Sequence, residues 1–254
     1  AIGEIILVMI GILLALYVNN WNEERKEQKK FEMALIEVEK ELVNNIQLAR
    51  VSIHDFARHD SLCIRLFLDS LKLRDNYSYL SILAPVTRVR LADEALMKLN
   101  QINYLTYEQE TIRDNLIELN TVGRGYIGDY GDALITMDYK RTEDWQKYDW
   151  YLNWVFRRVN DDERVLDFAM NDPDYLKMAA TYYEWISGFR KELQSYEYKA
   201  VSIYRKIHKY LVNNGMKKSD SILFDFDPKD FEHYLGKYDS KWCSYESYVH
   251  DDSI

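Results

Sequence analysis

The feature that most constrains this chain is an unbroken apolar run of fourteen residues near its start, residues 5–18, with the sequence IILVMIGILLALYV. As a helix, fourteen residues span about 21 Å and the eighteen from Ala1 to Val18 about 27 Å, against roughly 30 Å for a hydrocarbon core. The eighteen-residue stretch is long enough to cross the hydrocarbon core when Glu4 lies near the lipid headgroups. Trp21 then marks the other boundary, because Trp prefers the interface. The run therefore predicts a transmembrane helix over residues 1–21.

The same run has two other interpretations, a cleaved signal peptide and a buried core helix. A signal peptide has a basic start and a small-x-small cleavage site after the apolar stretch, but here YVNNWNEE follows. The chain opens with Ala rather than Met, so we expect a fragment whose missing residues extend the span. The positive-inside rule compares the Lys and Arg residues on both sides of a span, and here only the side after the span is present. Taken alone, that basic side favours a cytoplasmic location for the domain that follows it. It contains Arg25, Lys26, Lys29 and Lys30.

The segment from Gly3 to Glu27, GEIILVMIGILLALYVNNWNEERKE, resembles the signature GEIILVVIGILIALQVNNWNEERK of an uncharacterised family of single-span membrane proteins from Bacteroidota. The chain departs from that signature at Met9, Leu14 and Tyr17, which leave the span apolar or interfacial. The resemblance implies a basic segment before Ala1, a cytoplasmic N-terminus and a helical domain on the periplasmic side of the bacterial inner membrane. It implies no reaction, because that family has no assigned function.

Glu4 and the small residues of the run are candidates for contacts inside the membrane. A carboxylate in an apolar span is a functional-site hypothesis by default, serving an ion path or pairing with another subunit. The alternative places Glu4 at headgroup level, where its charge also suits the helix dipole. Gly11 and Ala15 form a small-xxx-small pair, and Gly3 falls on roughly the same face. This face predicts close helix packing and a homo-oligomer.

Beyond the run, apolar residues recur at helical spacing, and no Pro or Gly interrupts residues 12–84. The membrane helix is therefore expected to continue into a juxtamembrane stalk over residues 22–58, either as a coiled coil or as a helix packed within its own chain. The recurring positions are Phe31, Leu35, Val38, Leu42, Ile46, Ala49, Ile53 and Phe56.

The composition indicates an all-α fold. Nine Gly and three Pro in 254 residues are too few for the frequent turns of an all-β domain. Further helices are expected over 61–73, 89–100, 106–121 and 175–212, the last beginning after Asp172-Pro173 and ending at Asn213-Asn214-Gly215. These predict an antiparallel helical bundle over 59–215. A short irregular appendage over 216–254 carries one short helix near Phe231.

Several patterns resemble chemical sites but fit them poorly. Gly123, Gly125 and Gly128 match G-x-G-x-x-G, yet helix-patterned residues precede them where a dinucleotide site needs a strand, so a flexible joint between helices is favoured. His54 and His59 are five residues apart, whereas a helical zinc pair is four apart. A calcium loop at Asp225, Asp227 and Asp230 fails because Lys229 takes a ligand position.

Catalytic motifs are likewise missing from the sequence. It contains no recognisable catalytic triad, Cys and His pair, P-loop or HExxH, so we expect no enzyme and no cofactor. If the domain lies outside the cytoplasm, a bridge between Cys63 and Cys243 is one alternative, and otherwise both are ordinary buried thiols. Charged residues, 33 basic and 42 acidic, give a net charge of −9, which argues against a nucleic-acid partner.

Aromatic side chains are abundant, with 21 Tyr and six Trp. Tyr and Trp suit surfaces that are half dry and half wet, so they line either a protein interface or the outer core of a bundle. The candidate interaction patch contains Trp145, Tyr148, Trp150, Tyr151 and Trp154.

Taken with the span, these features predict a single-pass protein, in contact with membrane lipid, whose helical domain is a protein-interaction or structural module. The alternative is a sensor or accessory subunit of a transport or signalling complex, in which Glu4 pairs with another membrane protein. An enzyme with an unrecognised site is the remote third.

Overall fold

The computed structural model describes residues 2–68, 80–83, 89–102, 106–156, 158, 163–217, 237–239 and 244–246. All the long elements in these ranges are helices, so the all-α prediction is confirmed. The helices are α1 (Ile2–Phe67), α2 (Glu94–Leu99), α3 (Tyr107–Trp145), α4 (Tyr151–Val155), α5 (Glu163–Asn171) and α6 (Pro173–Asn213). A 3-10 turn covers Ser81–Leu83, and two short strands, β1 (Lys237–Asp239) and β2 (Ser244–Glu246), pair in antiparallel register.

Helix α6 is the central element of the bundle. Along α1, the ring of Phe31 lies 6.1 Å from that of Tyr210, and Phe56 lies 4.9 Å from Phe189. Since residue numbers rise along α1 as they fall along α6, these two helices are antiparallel. Helix α3 is also antiparallel to α6, because Gln109 donates to the Tyr210 hydroxyl at 2.8 Å and Trp145 contacts Tyr175. Helices α1 and α3 therefore run in the same direction.

Helix α1 has 66 residues, which at 1.5 Å per residue makes it about 99 Å long. Its predicted apolar stripe, Phe31 to Phe56, is buried against the rest of the bundle, and Cys63 and Leu66 extend that stripe. The separate helix expected over 61–73 is instead the end of α1 as far as Phe67, because the stripe continues without a phase break. The stalk residues from Phe31 onward thus contribute to the core.

Helix α2 is shorter than the helix expected over 89–100. Residues 89–93 are not helical, and here the Asn45 side chain of α1 both donates to the Ala92 carbonyl and accepts from the Ala92 N–H, each at 2.9 Å. The Glu41 carboxylate accepts from the Ala95 N–H at 3.0 Å. Side chains of α1 thereby replace the backbone hydrogen bonds that an earlier helix start would have made.

The flexible joint expected at the glycine cluster is wrong. Helix α3 runs from Tyr107 to Trp145 without a break, starting from a Thr106–Gln109 capping box. A Cβ on Gly123 would come within 2.6 Å of the Tyr196 ring of α6, and one on Gly188 within 2.7 Å of the Tyr130 ring of α3. These glycines let the two helices approach closely, so tertiary packing offsets their poor helix propensity.

The ends of α6 agree with the sequence prediction. The Asp172 carboxylate caps the start, accepting from the N–H groups of Asp174 and Tyr175, and Pro173 is the first helical residue. At the other end Gly215 has a φ of +71°, and the Met216 N–H donates to the Leu211 carbonyl at 2.8 Å. The short helix expected near Phe231 lies outside the described residues.

Candidate functional site

The first half of α1 projects from the bundle with bare apolar side chains. Ile10 is 50% exposed, Leu13 63% and Leu7 75%, and no side chain described between Leu7 and Val18 is buried. A helix of a globular domain normally hides one apolar stripe, whereas here the apolar character covers all faces. Exposed apolar surface of this extent marks an interaction surface.

The described residues do not support the predicted membrane span. Within the described ranges, no helix combines the length and apolar character needed to cross a bilayer. The transmembrane helix expected over residues 1–21 therefore has no support from the described part of the chain. The side chain of Glu4 lies outside the described part of the chain.

The predicted helix-packing face has room for a neighbour. A Cβ built on Gly3 or Gly11 has no heavy atom within 4 Å, and Ala15 is exposed. Trp21, the expected interface anchor, is 54% exposed, and the Arg25 guanidinium lies 5.9 Å from its ring centre.

The candidate aromatic patch is part core and part surface. Trp145 and Trp150 are almost fully buried, which corrects the expectation that they form an exposed patch, while Tyr148, Tyr151 and Trp154 are half-buried. The rings interlock: Trp145 lies 5.0 Å from Trp154, and Tyr148 stacks on Trp150 at 5.1 Å. Aromatic abundance alone does not reveal which face of a helix turns inward, so burial could be found only from the packing.

Beside this cluster the structure has a groove of about 510 Å³ between the end of α3, α5 and the start of α6. This volume is in the range of small-molecule sites. Its apolar lining consists of Met137, Trp145, Tyr148, Phe168, Tyr175 and Met178. Its charged lining consists of Lys140, Asp144, Lys147, Asp172, Asp174 and Lys177.

Arg141 lies next to the groove and is only 3% exposed. Its Nη2 pairs with Asp138, and its Cζ lies 5.1 Å from the Trp145 ring centre and 5.7 Å from that of Trp154. Burial lowers the pKa of Arg141, and the Asp138 carboxylate opposes that shift. Among the described residues, Nε and Nη1 find no hydrogen-bond partner. Sequence reasoning missed Arg141, although Asp138, Arg141 and Trp145 share a helix face by spacing.

A second polar cluster joins α1 to α6. The Nδ1 atom of His208 lies 2.8 Å from Oε1 of Glu39, and Lys217 pairs with the other oxygen of that carboxylate. Glu39 and His208 are both nearly fully buried. The cluster therefore ties the residues after α6 to the middle of α1, and its burial suits a structural role.

The histidines and cysteines considered as sites do not converge. The His54 side chain is 87% exposed, whereas His59 is half-buried with Nδ1 3.1 Å from the Ile82 carbonyl oxygen. Burial raises the pKa of the Cys63 thiol to about 12, which makes it a poor nucleophile. Cys243 and the Asp225 region lie outside the described residues. In the described ranges, no group of three or more His, Cys, Asp or Glu side chains could hold a metal ion.

A buried ion pair lies one turn from Cys63. Nη2 of Arg190 on α6 contacts Oδ2 of Asp60 on α1 at 2.8 Å. Burial raises the pKa of Asp60 although Arg190 and Lys191 act in the opposite direction. The pair fixes the register of α1 against α6 at this end of the bundle, and its geometry offers no nucleophile or exposed base.

Comparison with known proteins gives one similarity. Residues 4–83 match a family of unknown function, DUF6090, over roughly a third of the chain, and this segment includes the exposed apolar residues of α1 and its whole packed half to Phe67. No curated protein and no solved structure is significantly similar to the chain. The similarity agrees with the resemblance to an uncharacterised family, and it assigns no activity and no group of organisms.

Proposed function

We propose that this chain is a single-pass membrane-anchored protein whose helical domain is a noncatalytic interaction or structural module. One observation carries the proposal: α1 is a single helix whose apolar side chains are exposed on every face from Leu7 to Val18, whereas from Phe31 to Leu66 one apolar stripe is buried. An apolar surface on all faces of a projecting helix is stabilised by lipid or by other helices. Because α1 is continuous, the anchor and the buried stripe would then move together as one rigid helix.

The sequence around the apolar segment supports an anchor. Gly3 to Val18 contains one charged residue, Glu4, and the polar segment NEERKEQKK begins at Asn22. Trp21 stands between the two, where an interfacial residue is expected. On the family resemblance, we place the domain on the periplasmic side of the inner membrane.

Self-association through the anchor is part of the proposal. Gly3, Gly11 and Ala15 leave the helix backbone open to a close neighbour, as in small-xxx-small helix pairs. The groove between α3, α5 and α6 favours the second candidate, a sensor or accessory subunit, because α6, which lines that groove, also packs along α1.

The test is carbonate extraction of membranes from cells that express the full chain. The double variant Ile10→Arg, Leu13→Arg is expected to leave the membrane pellet, since each central Arg adds roughly 2.5–3.5 kcal/mol to the insertion free energy. Val51→Arg is the matched control, because Val51 lies on the same helix with 62% exposure, close to the 63% of Leu13. A double variant that stays in the pellet as Val51→Arg does would contradict the anchor.

The same preparations, moved into nanodiscs, give the mass of the particle by light scattering. A homo-oligomer gives an integral multiple of the protomer mass, and Gly11→Leu should reduce that multiple while Met9→Leu, on the opposite face, preserves it. A wild-type chain at protomer mass contradicts self-association. A second polypeptide in fixed ratio would favour the accessory-subunit candidate.

A further inference from the structure

The strongest unassigned feature outside the apolar segment is the environment of Arg141. Its guanidinium is desolvated, and Asp138 engages only Nη2. The tryptophan rings of the cluster contact the guanidinium by cation–π geometry, which involves its charge and its face. Its in-plane N–H groups at Nε and Nη1 still lack acceptors within the described residues. A buried donor without an acceptor is destabilising, so such a group needs an explanation.

Arg141 has a small space of its own beneath the groove. This inner space is lined by Arg141 and its partner Asp138, together with Leu134, Met137, Met178 and Tyr182, and it is about large enough for one water molecule. Met137 and Met178 also line the 510 Å³ groove. The two methionines therefore separate the groove from the guanidinium. Methionine side chains are unbranched and adaptable, so this separation can open at low cost.

The preference of the groove for a charged ligand depends on the buried Arg141 rather than on the charged residues at the rim. The rim carries three lysines and three aspartates, which balance. Two of those aspartates are already engaged, since Asp172 caps α6 and Asp174 pairs with Lys177 at 3.2 Å. The N–H groups of Arg141 at Nε and Nη1, in contrast, need a hydrogen-bond acceptor, so they favour a ligand that carries one. A carboxylate is the strongest acceptor for a guanidinium. To reach Nε and Nη1 it would take the place of a water molecule in the inner space, and it would lie beside the Asp138 carboxylate that pairs with Nη2.

We propose that this groove binds a small apolar monocarboxylate, whose hydrocarbon part packs against Trp145, Phe168 and Tyr175 and whose carboxylate accepts hydrogen bonds from Arg141. Met137 and Met178 move aside when the ligand enters. The site does not depend on the membrane anchor, so the failure of either proposal leaves the other intact.

The experiment is calorimetric titration of the full chain in nanodiscs with 4-phenylbutanoate, with empty nanodiscs subtracted. The neutral 4-phenylbutanamide is the matched ligand, because it keeps the ring and the chain length and removes the charge. We expect the carboxylate to bind at least tenfold more tightly than the amide. Equal affinities for the carboxylate and the amide would overturn the proposal. So would the absence of any binding heat when the carboxylate is raised to about 10 mM.

Three variants separate the buried site from surface charge. Arg141→Met should lower the carboxylate affinity at least tenfold, to the level of the amide. Met178→Trp keeps Arg141 and fills the space between groove and guanidinium, so it should abolish binding while circular dichroism stays unchanged. Lys140→Met, at the rim, should change the affinity less than threefold. If Lys140→Met costs as much as Arg141→Met, or if Met178→Trp still binds, the carboxylate is held at the surface and the proposal is wrong.

Discussion

The two halves of α1 belong to one helix, yet their apolar residues have opposite environments. From Leu7 to Val18 the apolar residues are consecutive, so they face every direction, and the bundle covers none of them. From Phe31 to Phe56 a stripe of apolar residues recurs every three or four positions and is buried against the rest of the bundle, whereas Met33 and Val51 lie off that stripe and are exposed. The contrast shows that the period of the apolar pattern, rather than its amount, decides whether a helical segment can be covered by one protein face.

The largest effect should come from removing apolar volume in the packed half. Ile46 is fully buried, so Ile46→Ala should lower the free energy of unfolding by about 2–5 kcal/mol. Leu13→Ala, in the bare half, should change it by less than about 0.5 kcal/mol, because no bundle contact is lost. Urea denaturation of the full chain in nanodiscs, followed by tryptophan fluorescence, measures both. Equal losses would mean that the two halves do not differ as described.

An intermediate effect is expected where the same contrast occurs within α3. Gly123 faces the buried Tyr196 ring, so Gly123→Ala should destabilise the bundle by roughly 1–2 kcal/mol, the cost of overpacking less the gain in helix propensity. Gly125 is exposed with nothing within 4 Å of an added Cβ, so Gly125→Ala should stabilise by about 0.5–1 kcal/mol. The two unfolding midpoints should move in opposite directions. A shift of both in one direction would remove the packing role assigned to Gly123.

The smallest effect concerns the pH dependence of the packed half. Burial lowers the pKa of His59, against the hydrogen bond from its ring to the Ile82 carbonyl. Below pH 6.5 the unfolded chain therefore binds a proton that the folded chain does not, and stability falls as pH decreases toward the folded pKa. This single group contributes at most about 1.4 kcal/mol per pH unit.

Unfolding measured between pH 7.5 and 5 tests that contribution. His59→Gln should make the decline in stability with falling pH shallower than in the wild-type chain. His54→Gln is the control, because the His54 side chain is 87% exposed on the same helix. A wild-type slope in His59→Gln, or an equal change in His54→Gln, would exclude His59 as the source.

Local patterns were enough to predict part of this fold. The stripe from Phe31 to Phe56 follows from its spacing, and the boundaries of α6 follow from the capping chemistry of Asp172, Pro173 and Gly215. The glycine cluster misled the prediction because helix propensity counts only local cost. The Tyr196 ring that makes Gly123 favourable lies 73 positions away in the chain.

The candidate site was even less accessible to sequence reasoning. The aromatic residues near Trp145 could be located, but their division into core and surface depends on α5 and α6, which supply Phe168 and Tyr175. Arg141 carries no motif, and its significance comes only from burial beside Asp138 with two nitrogens left without acceptors among the described residues. Burial of that kind is a property of the assembled bundle.

By itself, the sequence determined that this protein is helical, that it contains a long apolar segment over residues 5–18 and that one face of α1 is buried, because these follow from composition and periodicity over neighbouring residues. Only the tertiary structure decided that α1 and α3 run parallel on either side of α6, that Gly123 is a packing position and that Arg141 lies buried beneath a groove. Those features depend on contacts between residues far apart in the chain, and a pattern over neighbouring residues does not specify which distant residues come into contact.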